Sequence, residues 1–408
     1  MYLIIDMKSF FASVECALRG LNPLTCNLVV ADKKRGSGAL CLAVSVNLKK
    51  LGVKNRCRLF EIDKNIKYII AKPRMKYYLM YANKIHKIFL KYFDASDIHT
   101  YSIDEAFIYL DPYLNYYHMD SYMIARKLQK EIFETLGIAS SAGIGTNMYL
   151  AKIALDILAK NKRIAFLDQD TFINILWNHK PITDFWSISY GISNHLAKLG
   201  LFTMKDIAFF GHDNLIKEFK SEGEILYEHS FGFDDVSIKD IKNYKVNSKS
   251  LSNSQILMRD YDFNETKLII YEMIFNLSLE MRRLNIDSCA LALFIGFKNE
   301  GGISFKVDFD FRTNDYFIIK SYIENLLEQL TIKEKIRSAG ISFINTLKIE
   351  NRQISLFNYN NQKQLNLIDS LNEVKKQFGK NSINFSSSLY SNSTIIERNR
   401  QIGGHNEK

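Results

Sequence analysis

Three carboxylates carry the first hint of chemistry. Asp6 closes the apolar run Tyr2-Leu3-Ile4-Ile5, and Asp104-Glu105 lie near the turn of an expected strand pair at residues 98–110. Carboxylates gathered at adjoining strand ends repel one another. Such a cluster is tolerated when a divalent cation neutralises it. Ligands that are all oxygen favour Mg²⁺ over zinc or copper. Two such ions could activate a hydroxyl nucleophile and stabilise a leaving group. The spacing alone also fits three unrelated surface acids.

Other chemistries have less behind them. Cys16, Cys26, Cys41, Cys57 and Cys289 contain no C-x-x-C pair and read as reduced, mostly buried thiols. The eight histidines form no H-x-x-x-H pair, which speaks against zinc. No apolar run approaches the ~18–20 residues of a membrane helix. The N-terminus lacks a basic secretory stretch, so the expectation is a cytoplasmic protein with no membrane partner. With 408 residues, 47% hydrophobic and 24% charged, wholesale disorder is excluded.

The net charge of +10 fits an anionic partner, or simply a solvated basic surface. Its distribution says more. Residues 1–75 hold 14 basic and 5 acidic side chains, net +9, whereas residues 166–241 hold 6 and 12, net −6. Residues 242–350 hold 15 and 14. Such shifts mark candidate domains.

The elements that must position the acids follow from periodicity. Residues 2–5 read as a buried strand, and residues 10–18 as the start of a helix. Short strands are expected at 28–31 and 39–44, and helices at 76–93 and 120–136. A strand at 138–144 leads into a helix at 147–160, capped by Thr146 or Asn147. Residues 171–230 hold only short helices. From 248 the order becomes β-α-β-β-α-β. Ile270, Ile274, Leu277, Met281 and Leu284 line one helical face there. Phe305, Val307, Phe309 and Phe311 alternate with charged residues. This fits a split-βαβ domain. The Asn- and Ser-rich residues 351–408 read as a loosely attached tail.

Longer motifs decide between the alternatives. Ile4-Ile5-Asp6-Met7-Lys8-Ser9-Phe10-Phe11-Ala12-Ser13-Val14-Glu15 is followed by Tyr101-Ser102-Ile103-Asp104-Glu105-Ala106-Phe107. Then comes Gly143-Ile144-Gly145-Thr146-Asn147-Met148-Tyr149-Leu150-Ala151-Lys152-Ile153-Ala154, with Ala159-Lys160 after it. In order and spacing these resemble the palm motifs of Y-family DNA polymerases. The branch they resemble is UmuC/ImpB/MucB/SamB, and more narrowly the UvrX-type proteins of low-GC Gram-positive bacteria. The resemblance covers about residues 1–350. It implies an α+β, right-hand fold: palm at 1–10 and 76–165, small fingers at 11–75, helical thumb at 166–241 and split-βαβ little finger at 242–350.

The resemblance also implies roles. Asp6, Asp104 and Glu105 become the catalytic carboxylates, holding two Mg²⁺ ions together with the Met7 carbonyl. Ser9, Phe10 and Phe11 border the incoming dNTP, and Phe11 falls on the steric-gate position that excludes a ribose 2′-hydroxyl. Lys49 and Lys160 fall where cations meet the triphosphate. Val46 and Lys49 depart from a frequent Tyr and Arg, so the fingers grip with a point charge rather than a fork. Ser187-Ile188-Ser189 stands where the thumb hairpin is usually Gly-Ile-Gly, a turn that holds a DNA phosphate by backbone N–H groups. Arg259, Lys298, Lys306, Arg312 and Arg337 are candidates for template contact; each alone also fits an ordinary solvated charge. Gln353-Ile354-Ser355-Leu356-Phe357 resembles the peptide by which bacterial polymerases dock on the sliding clamp, the DNA polymerase III beta subunit.

The implied activity is template-directed, low-fidelity translesion synthesis on primer–template DNA during the SOS response. No proofreading cluster is expected. Two alternatives stay open on sequence: a catalytically weak DNA- and clamp-binding accessory protein, and a two-metal nuclease. The need for a RecA-like or UmuD-like activator is also open, as is the role of Ile402-Gly403-Gly404-His405.

Overall fold

The structure is a computed structural model describing residues 1–245, 250–350 and 359–407. The chain divides into two units, Met1–Lys245 and Val246–Glu407.

Leu3, Ile4 and Ile5 have no solvent exposure, which requires the first strand to be central. In chain order the first unit runs β1 (Tyr2–Met7), α1 (Phe10–Ala17), β2 (Leu28–Val30), β3 (Ala43–Val44), α2 (Val46–Lys50), β4 (Ile69–Ala71) and α3 (Met75–Phe89). It continues through β5 (Ile98–Thr100), β6 (Glu105–Tyr109), α4 (Asp111–Tyr117), α5 (Ser121–Leu136), β7 (Ser140–Gly145), α6 (Met148–Ile153), α7 (Ala159–Lys162) and β8 (Ile164–Leu167). The main sheet has the order β5-β6-β1-β7-β8, with β1 between the strand of Asp104-Glu105 and the strand of the third motif. Only β7 and β8 are parallel, joined by a helical crossover. A small sheet, β3-β2-β4, lies in the segment expected as fingers. Short helices follow: α8 (Gln169–Leu176), α9 (Tyr190–Lys198), α10 (Met204–Phe210), α11 (His212–Phe219), α12 (Ser221–Ser230) and α13 (Ile238–Asn243).

Asn147 caps α6, its side chain accepting from the Leu150 N–H at 2.8 Å. The helix expected at 147–160 is not continuous. A π-helical turn, Ala154–Leu158, separates α6 from α7. The two glycines of β7 explain how closely this segment lies on the sheet. A Cβ at Gly143 would stand 2.1 Å from the Ala151 carbonyl oxygen, and one at Gly145 would stand 2.2 Å from the Ala151 nitrogen. Both are backbone atoms, so nothing soft can give way. Gly143→Ala is expected to cost roughly 2–3 kcal/mol of stability through overpacking. Urea unfolding checks this; a cost under about 1 kcal/mol would show that the helix can lift freely off the strand.

The second unit runs β9 (Ser250–Tyr261), α14 (Phe263–Arg283), β10 (Ile286–Phe297), β11 (Gly302–Thr313), α15 (Tyr316–Glu328) and β12 (Ile336–Ile344). It forms the antiparallel sheet β11-β10-β12-β9. Ile269, Ile270, Met273, Ile274 and Leu277 of α14 bury against Leu291, Leu293 and Ile295 of β10.

The expected loose tail is corrected here. Helix α16 (Tyr359–Phe378) and helix α17 (Ile395–Arg398) belong to this unit, and Ile368 and Ile395 join its core. The buried carboxylate of Glu272 on α14 accepts from Ser393 Oγ and from the Thr394 and Ile395 N–H groups, the latter two at 3.1 Å. Arg398 reaches the Asn253 side chain and the Ser254 carbonyl of β9. A charge that buried needs several donors, and the C-terminal segment supplies them. The expected clamp peptide, Gln353–Phe357, lies outside the described residues.

Candidate active site

The sheet brings the predicted acids together. Asp6 of β1 stands opposite Glu105 of β6 in the antiparallel register. The Met7 N–H donates to the Asp104 carbonyl at 3.0 Å, fixing the turn against the end of β1. The Asp104 carboxylate accepts from Ser102 Oγ at 2.8 Å. Burial, then the charges of Glu105 and Asp104, push the Asp6 carboxyl up to about 8.

Lys152 is the residue that sequence reasoning missed. Its ammonium donates to both Glu105 oxygens, at 3.0 and 3.1 Å, and to Asp156 at 3.1 Å. It is 6% exposed. Burial disfavours its charge, but Asp156 and Glu105 outweigh that and hold its pKa above the usual lysine value. Two signals were available: its place inside the third motif, and its i,i+4 spacing to Asp156. Among the described residues, no three His, Cys, Asp or Glu side chains are grouped so as to hold a metal; Glu105 is turned onto Lys152. The donor chemistry nevertheless suits a hard divalent cation, because the acids are oxygen ligands with negative charge in excess.

Beside the acids, Ser9 takes a left-handed conformation, φ 48°, at the start of α1. Phe10 is buried, while Phe11 is half-buried and stacks flat on Tyr78 of α3, with ring centroids 4.4 Å apart and planes 13° apart. Lys49 at the end of α2 is exposed and within electrostatic reach of Asp6 and Asp104. Lys160 on α7 is exposed.

The Ser187-Ile188-Ser189 turn forms despite lacking glycine. Ser187 adopts φ 69°, Ile188 is buried, and Ser189 caps α9 by accepting from the Ile192 N–H at 3.3 Å. Ser187 Oγ lies 3.4 Å from His229 Nδ1, and the His229 ring stacks on Tyr149 with centroids 3.9 Å apart.

The five cations expected to reach DNA are all engaged within the second unit. Arg259 pairs with Glu265 at 2.6 Å, Lys298 with Asp260 at 2.7 Å and Lys306 with Asp308 at 2.7 Å. Arg312 pairs with Asp287 at 2.6 Å, and Arg337 lies 3.6 Å from Asp260. The four pairs other than that of Arg312 are largely exposed and contribute about 0–1 kcal/mol each, whereas Arg312 is part-buried and also donates to the Asp287 and Asn345 carbonyls. The sheet register sets Ser252, Ser254, Ser304, Ser338 and Ser342 on the face of Phe294, whose ring is 42% exposed.

A central sheet presenting paired acids, a small second sheet beside it, a helical segment and a split-βαβ unit define a right-hand nucleotidyl-transferring polymerase. The comparisons agree. The impB/mucB/samB family matches residues 5–156, and the C-terminal domain of that family matches residues 248–356. UvrX of Bacillus subtilis (strain 168) is 31% identical over 99% of this chain and 97% of its own length. DNA polymerase IV of Clostridioides difficile (strain 630) is 28% identical over 88% and 98%. A solved chimera of the Y-family DNA polymerases Dbh and Dpo4 superposes with a TM-score of 0.66 at 22% identity, over 85% of this chain and 100% of the chimera. The chain belongs to the impB/mucB/samB family and is a Y-family, DNA-directed DNA polymerase similar to UvrX. Among the described residues, no helix is long and apolar enough to cross a membrane.

Proposed function

We propose that the chain extends a DNA primer across damaged template positions in a Mg²⁺-dependent reaction. The observation that carries this is the register pairing of Asp6 with Glu105, with Asp104 beside them. Asp6, Asp104, Glu105 and the Met7 carbonyl would hold two Mg²⁺ ions. When bound, these supply activation of the primer 3′-hydroxyl and neutralisation of the leaving pyrophosphate.

The chain's own residues do the rest. Lys49 and Lys160 attract the triphosphate. The Ser9 turn directs backbone N–H groups towards it, with Phe10 packed beneath. Phe11 presents a flat wall to the sugar and leaves no room for a 2′-hydroxyl. Ser187–Ser189 offers a phosphate its backbone amides. The paired cations Arg259, Lys298, Lys306, Arg312 and Arg337 exchange carboxylate for template phosphate. Gln353–Phe357 docks on the sliding clamp, and the reaction belongs to SOS-stage repair in the cytoplasm, with RecA-like or UmuD-like activators as candidate partners.

A labelled primer–template, with and without an abasic site, tests this in the presence of dNTPs, Mg²⁺ and clamp. Extension past the site, abolished by EDTA, is expected. Absence of extension on both templates would favour the accessory protein, and primer shortening would favour a nuclease.

A further inference from the structure

One buried charge near the site has no part in the mechanism so far. Glu15 has no side-chain exposure, yet it sits one turn along α1 from Phe11. A carboxylate in that position needs strong partners. It has three. Arg74 donates to both of its oxygens, from Nε at 3.0 Å and from Nη2 at 2.6 Å. Arg19, in the turn just past the end of α1, also pairs with it. The Tyr78 hydroxyl donates to Oε1 at 2.9 Å.

The geometry forms a ladder between two helices. Phe11 and Glu15 are i,i+4 on α1, and Arg74 and Tyr78 are spaced alike at the start of α3. One rung is the charged fork from Arg74 to Glu15. The next is the flat stack of Tyr78 on Phe11. Tyr78 is fully buried and belongs to both rungs, its ring under Phe11 and its hydroxyl on Glu15. Rotating the Tyr78 ring out of the stack would break a hydrogen bond to a charged acceptor, which is stronger than a neutral one.

We propose that Glu15 is a positioning residue for sugar selectivity: it locks Tyr78, and Tyr78 holds the Phe11 ring at the height where a ribose 2′-hydroxyl collides with it. This rests on the reading of Phe11 as the steric gate. A ring free to sink by a fraction of an ångström admits a hydroxyl, so the gate's sharpness depends on its backing. Glu15 touches no substrate and acts only through Tyr78.

The test compares kcat/KM for a ribonucleotide and the matching deoxynucleotide in the full-length protein. Glu15→Gln weakens the acceptor, and Tyr78→Phe removes the hydroxyl while keeping the ring and the Glu15–Arg74 fork. Both are expected to raise the ribo-to-deoxy ratio roughly fivefold, the order of one hydrogen bond's net contribution. Phe11→Ala is the control and raises the ratio further. A wild-type ratio in both variants, with the control raised, overturns the proposal and leaves the gate standing. An unmoved ratio in Phe11→Ala overturns the gate reading itself. If Glu15→Gln does not fold, Tyr78→Phe alone decides by the same criterion. A purely structural Glu15 would lower the melting temperature without moving the ratio.

Discussion

Asp6→Asn is expected to abolish primer extension and, in the same protein, to raise its thermal stability without metal. The two effects share one cause. Burial and the neighbouring Glu105 and Asp104 push the Asp6 carboxyl up to about 8. At neutral pH the metal-free fold must therefore take up a proton there, or bear an uncompensated charge. With an unfolded value near 3.8, the sign is fixed: the group costs stability increasingly as pH rises from about 4 to about 8. Asparagine keeps the shape and removes the titration, for a gain of roughly 2–4 kcal/mol near pH 7. The same change removes a charged oxygen ligand, and extension should fall by at least about a thousandfold, on the order of 4 kcal/mol in the barrier. Melting curves from pH 5 to 8 without divalent ions, beside single-turnover extension with Mg²⁺, check both halves. An inactive variant that is no more stable than wild type at pH 8 would show that the acids are not crowded. An active variant would remove Asp6 from the chemistry.

The second large effect is at Lys152. Its ammonium serves Glu105 and Asp156 together and is almost wholly buried. Lys152→Met preserves much of the volume and leaves two carboxylates without their partner. Breaking a buried pair from one side costs roughly 3–5 kcal/mol. The loss should be smaller by at least about 1 kcal/mol in an Asp104→Asn background, where one source of repulsion on Glu105 is already gone. It should also shrink in the presence of Mg²⁺, which replaces the missing positive charge. Denaturant unfolding of the two single variants and the double variant, with and without Mg²⁺, measures this. Additive costs, indifferent to Mg²⁺, would show that Lys152 acts only on Asp156.

Much of the fold was legible because its signals are local. The apolar run ending at Asp6, the alternation of Phe305 to Phe309 and the Asn147 cap each act within one element; Phe311, expected on the same buried face, lies past a shift in register with β10 and is 50% exposed. The three palm motifs fixed the acids, since strand order follows once the family is known. What stayed hidden depends on contacts distant in sequence. Lys152 looked like one more lysine on a helix, and its meaning comes from Glu105, 47 residues away. The close approach of residues 150–155 to Gly143 and Gly145 is a backbone contact that no periodicity reports. The cations of the second unit were read singly, whereas Arg312 meets an acid 25 residues away. The C-terminal segment misled by composition: Asn and Ser look loose, but Ser393 and Thr394 are there to satisfy one buried carboxylate.

That carboxylate has a genetic consequence. Glu272 draws its donors from residues 393–395, some 120 positions downstream. A stop codon just ahead of residue 393 spares all three palm motifs and would ordinarily be read as mild. Here it would strand a negative charge inside the second unit and open the place of Ile395. Late nonsense alleles of this gene should therefore behave as loss-of-function alleles, even though every motif of the catalytic unit is still translated.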